Sequence, residues 1–78
     1  MDRTMLQIKI TYDSMGKAEK RVADWIMTNS DKLLPLSIVE LAEECKCSEA
    51  SIVRFSRRVG CSGYQELKIS LAQECGTR

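Results

Sequence analysis

The sequence predicts an all-α protein, a compact bundle of about five helices. Three observations carry this. Turn and strand formers are scarce, with four glycines, one proline and 5% aromatic residues, whereas a sheet sandwich needs many. Apolar residues recur three and four positions apart along almost the whole chain. Helix start and stop signals follow one another closely, with no repeat, linker or low-complexity stretch between them. The 78 residues make one domain, with room for a single modest core but not for a separate catalytic lobe. At 44% hydrophobic residues the chain lies above the disordered range.

Taken in order, "TMLQIKITY" sets Met5, Ile8 and Tyr12 at helical spacing, a short amphipathic helix frayed at its start. It has no obvious place in a three-helix core, which makes Met5 to Tyr12 the candidate dimer interface. "GKAEKRVADWIMTN" lines up Ala18, Val22, Trp25, Ile26 and Asn29 on one face and ends near Asn29 and Ser30, before the turn "SDKLL". Pro35 breaks the pattern. Ser37 with Glu40 three residues later is a capping-box signature opening "SIVELAEEC". After a turn at Lys46 and Cys47, Ser48 is the next N-cap, and "SEASIVRFSRRV" runs to Gly60, a fitting C-terminal glycine. "SGYQELKISLAQEC" makes the last helix, with Tyr64, Leu67, Leu71 and Cys75 on one stripe.

Two short helices joined by a very short turn are the core of a helix-turn-helix (homeodomain-like) unit, whose second helix enters the major groove of DNA. Leu41, Cys45, Cys47, Ile52 and Phe55 fall where the two helices must face each other and the core, and Ala42 is small where they approach. The charges follow the same division. Residues 31–45 carry one lysine against four carboxylates, net −3, and residues 46–68 carry five cations against two carboxylates, net +3. Such a distribution suits a polyanion-facing surface and equally a pair of solvated helix faces. The spacing decides between them: the basic residues follow the turn. The expected outward face of the second helix, about residues 48–59, is Ser48, Glu49, Ala50 and Ser51 in its first turn, then Arg54, Arg57 and Arg58. Its first residues reach base edges in this geometry, and Arg pairs with guanine or phosphate.

The run "LSIVELAEECKCSEASIVRFSRRVGCSGYQELKISLAQE", with "SMGKAEKRVADWIMTNSDKLLPL" before it, resembles the N-terminal domain of the MurR/RpiR transcriptional regulators over nearly the whole chain. "SEASIVRF" followed by "GCSGYQELK" is its most distinctive part. The resemblance implies a bacterial regulator domain that binds a double-stranded operator as a homodimer. It places Ser48, Glu49, Ala50, Ser51, Arg54, Arg57 and Arg58 on the recognition helix. It adds Ser37 at a helix start able to hold a phosphate, with Tyr64 and Lys68 as further backbone contacts. Family members carry a C-terminal sugar-isomerase-like domain that senses phosphosugars. That domain is expected to be absent here, so a phosphosugar effector would act only through it. Two departures stand out. Lys46 sits where the family turn usually has glycine and is a candidate phosphate contact, and Cys45, Cys47 and Cys61 replace apolar residues.

Four cysteines without a histidine make a poor zinc site, because one pair is C-x-C and the other two stand 14 residues apart. Cys45 and Cys47 also fall on inward positions, where reduced cysteine serves as a small hydrophobe. Packing is therefore expected, with no metal and no cofactor, and Cys75 as the most accessible thiol. "MDRTMLQIKIT" lacks a signal-peptide core and no run reaches membrane-spanning length, so a cytoplasmic location is expected, with thiols reduced. Without histidine, a phosphate loop or a Cys/His pair, no enzyme chemistry is expected. The rival function is a small helical interaction or dimerisation module without specific DNA binding, which salt dependence would separate.

Overall fold

Helical periodicity along the chain produces α1 (Arg3–Thr11), α2 (Lys17–Asn29), α3 (Ile38–Cys45), α4 (Glu49–Arg58) and α5 (Tyr64–Gly76), with no strand among the described residues. The computed structural model describes the backbone of residues 3–76 and the side chains of residues 4–73. Single 3-10 turns, Tyr12–Ser14 and Ser30–Lys32, follow α1 and α2. The side chain of Cys75, expected on the α5 stripe and accessible, lies outside the described residues.

The core is shared by all five helices. Ile8 from α1, Val22, Ala23 and Ile26 from α2, Leu41 from α3, Ile52 and Phe55 from α4, and Leu67 from α5 are each 0% exposed. Two expectations need correction here. Helix α1 does have a place in the core: it packs on α5, Ile8 is fully buried, and Met5 and Tyr12 pack on the core's edge. Its exposed apolar residues are Leu6 and Ile10, on the opposite side. In α2 the buried stripe is Glu19, Val22, Ala23 and Ile26, with Ala18, Trp25 and Asn29 half-buried at its margin. The stripe is turned toward Glu19 because α2 packs on α3 and α4 together.

The caps follow the local sequence. At α3 the Ser37 hydroxyl accepts from the Glu40 N–H (3.1 Å) and the Glu40 carboxylate accepts from the Ser37 N–H (2.8 Å), a complete capping box. Ser48 caps α4 by accepting from the Ser51 N–H at 3.2 Å. Before α5 the Ser62 N–H donates to the Glu66 carboxylate at 2.6 Å, and that bond holds the Glu66 carboxyl below its usual range.

Candidate nucleic-acid interface

Helices α3 and α4 end alike. Past α3, the Lys46 N–H donates to the Glu43 carbonyl (3.2 Å) and the Cys47 N–H to the Ala42 carbonyl (3.0 Å). Past α4, the Gly60 N–H donates to the Arg57 carbonyl (3.1 Å) and the Cys61 N–H to the Ser56 carbonyl (2.9 Å). Each is a Schellman motif, which needs one left-handed residue and favours an apolar residue immediately after it. The left-handed residues are Lys46 (φ 57°) and Gly60 (φ 95°). Cys47 and Cys61 are the apolar followers, Cys61 buried and Cys47 half-buried. Cys45, on the last turn of α3, is buried, and desolvation pushes its thiol up to about 12. Among the described residues, no group of three or more His, Cys, Asp or Glu side chains is placed to hold a metal ion.

This turn is held from α2, where the Arg21 guanidinium donates to the Lys46 carbonyl at 3.1 Å. Three residues, Lys46 to Ser48, thus separate two helices whose facing sides carry the fully buried Leu41, Ile52 and Phe55. The outward side of α4 presents Glu49, Ala50, Arg54, Arg57 and Arg58, all exposed, with Ser48 exposed at its cap and Lys46 exposed in the turn.

Several residues expected on the contact surface sit differently. Ser51 is not outward: it is 4% exposed, its hydroxyl 3.1 Å from the Ser48 hydroxyl and accepting from Arg54 at 3.3 Å. Its N3 position turns it toward the cap. Tyr64 is also buried, at 7% exposed, and its hydroxyl donates to the Leu36 carbonyl at 2.9 Å. Burial pushes that phenol up to about 12. Lys68 is half-buried and donates to the same carbonyl at 3.1 Å, with its ammonium 5.2 Å from the Tyr64 ring centre. The pair ties α5 to the loop before α3. Ser37 is exposed, but the capping box already takes the N–H groups of Ser37 and Glu40 and sets a carboxylate at that helix start. Arg58 is not a free cation. Its Nε donates to Glu19 Oε1 at 2.7 Å, with the arginine side chain 36% and the glutamate 8% exposed. Sequence reasoning missed Glu19 and Arg21. For Glu19 a signal existed, a carboxylate in phase with Val22, Ala23 and Ile26.

The helix-turn-helix domain model of the rpiR family matches residues 3–78. The chain belongs to that family. Among relatives of this rpiR-family domain, the HTH-type transcriptional regulator HexR of Pseudomonas aeruginosa is 42% identical over 73 residues, covering 94% of this chain and 26% of the relative. An uncharacterised HTH-type transcriptional regulator of Caldanaerobacter subterraneus is 40% identical over 72 residues, covering 92% of this chain and 26% of that protein. The bifunctional protein glk of Burkholderia thailandensis is 32% identical over 66 residues, covering 85% of this chain and 10% of its own length. The chain spans about a quarter of the length of the first two. As an rpiR-family helix-turn-helix, it is a DNA-binding domain of the transcriptional-regulator type. No described helix is long and apolar enough to cross a membrane.

Proposed function

We propose that this domain binds a double-stranded operator sequence-specifically, as one half of a homodimer, with α4 lying in the major groove. The observation that supports it is the division of α4. Ile52 and Phe55 are 0% exposed, whereas Glu49, Ala50, Arg54 and Arg57 are open to solvent on the far side, beyond a turn clamped by Arg21. In this reading Ser48, Glu49 and Ala50 approach base edges, Arg54 reads a base or a central phosphate, and Lys46 and Arg57 hold phosphates. Arg58 adds a phosphate contact from its place beside Glu19. Ser51, Tyr64 and Lys68 shape the surface from within. The domain works in the cytoplasm as a binding module rather than an enzyme, and a phosphosugar effector would act through a C-terminal domain outside these residues.

Selection of bound duplexes from a random pool tests the reading. An enriched inverted repeat is expected, with log affinity falling against log salt by about 0.9 for each phosphate neutralised. A pool that stays unenriched, or binding indifferent to salt, would replace this reading with that of an interaction module.

A further inference from the structure

We propose that Glu19, on α2, is a positioning residue for DNA recognition that acts through Arg58. Glu19 is a carboxylate on the buried stripe of α2, and its side chain is only 8% exposed. Its Oε1 accepts the Nε–H of Arg58 at 2.7 Å. A guanidinium can offer a carboxylate its Nη fork or its Nε edge. Here Oε1 takes the Nε, and the Nη groups make no hydrogen bond among the described residues, so the fork remains for another anion. Arg54, Arg57 and Arg58 line one shallow groove together with Glu19, so the fork belongs to a cationic surface that already runs along α4.

The physical effect is pre-organisation. An arginine side chain carries large rotamer freedom, and ordering it on binding weakens the complex. Glu19 has already restricted that freedom, because a carboxylate on a packed helix cannot follow a moving guanidinium. The pairing also tempers the charge of Arg58, so this arginine adds less to the indiscriminate attraction of polyanions than a free one would. Glu19 therefore favours the register in which a phosphate meets the fork, and it does so without touching DNA.

The inference rests on the reading of α4 as the recognition helix, and the experiment separates the two. Wild type, Glu19→Gln and Glu19→Ala are titrated against the duplex enriched from the random pool and against a random duplex, each protein first shown to keep its helical signal. The glutamine oxygen still accepts from Nε, so Glu19→Gln should stay near wild type on the enriched duplex. Glu19→Ala should bind that duplex about two- to tenfold more weakly, the cost of ordering one long side chain. Its affinity for the random duplex should hold or rise slightly, since Arg58 keeps its charge and loses the carboxylate that tempered it. Loss on both duplexes alike, or no loss on either, overturns the positioning role while leaving DNA binding intact. A wild-type chain that binds neither duplex overturns the recognition-helix reading and this inference with it. Should Glu19→Ala lose its fold, Arg58→Lys decides: it can keep the ion pair but lacks the fork. It should show the same selective loss, and unchanged binding overturns the proposal.

Discussion

A lysine held at φ 57° and ψ 49° strains a turn that glycine would adopt freely. A left-handed residue with a Cβ costs about 1–2 kcal/mol, and glycine gives back about 0.4–1 kcal/mol through the entropy of the unfolded chain. Lys46→Gly should therefore raise stability by about 0.5–1 kcal/mol, read as a higher urea midpoint at unchanged slope. The bond from Arg21 goes to the Lys46 carbonyl and survives the change. A lower midpoint would show that the turn is not left-handed in solution. Arg54 is the residue proposed to carry specificity. Arg54→Ala should weaken binding to the enriched duplex by about 1–3 kcal/mol, with much less effect on random DNA. Equal losses in titrations of both would mean that Arg54 reads no base. Cys45 and Tyr64 bear on alkaline stability. Burial raises both groups in the fold, to about 12 in each case, from 9.0 and 10.0. A raised folded pKa means stability complete below the unfolded value and lost as pH climbs through the folded one. Urea midpoints should thus be level up to about pH 9 and fall from there toward about 12. Tyr64→Phe should make the upper part of that fall shallower. A level profile throughout would mean both groups ionise as readily in the fold as outside it.

At the scale of elements, the twin Schellman endings of α3 and α4 give opposite predictions for the same chemistry. Gly60 has φ 95° and nothing within 4 Å of where a Cβ would stand, so Gly60→Ala meets no clash and only the torsional penalty. The expected loss is the torsional penalty less the unfolded-chain entropy that alanine removes, about 0.5–1 kcal/mol in urea unfolding. A neutral result would show that α4 does not end on a left-handed residue. What was legible in the sequence is what neighbours in the chain decide. Ser37 with Glu40, Ser48 before α4, Gly60 after it and the left-handed Lys46 are all fixed within a few residues of themselves. The inward positions of Leu41, Cys45, Ile52 and Phe55 were legible because periodicity reports a face. Most of the failures lie at longer range. Arg58 finds Glu19 across 39 positions, and Tyr64 and Lys68 find Leu36 across 28 and 32. A long basic or phenolic side chain looks the same in sequence whether it ends in solvent or on a distant carbonyl. Ser51 misled for a local reason. Helical phase puts it at the border of the outward face, and its hydroxyl turned in toward Ser48.

The whole domain measures 32 × 25 × 22 Å, so one copy covers about one half-site, and a two-fold operator with half-sites about 34 Å apart needs two. The face proposed to join them is the outer side of α1, with Leu6 54% and Ile10 62% exposed. Sedimentation of wild type at tens of micromolar should show concentration-dependent dimers, and Leu6→Glu with Ile10→Glu should give monomers of unchanged helicity. Truncating α1 is a poorer test, because Ile8 goes with it. A wild type that sediments as a monomer at those concentrations would count against this interface. One connection runs through the body of the molecule. The Leu36 carbonyl accepts from both Tyr64 and Lys68, one residue before the cap of α3. A double anchor of this kind behaves as a mechanical linkage. A tilt of α5 would pull on the residue before the cap of α3, and α3 and α5 both pack on α4, so such a tilt would re-aim the arginines on α4.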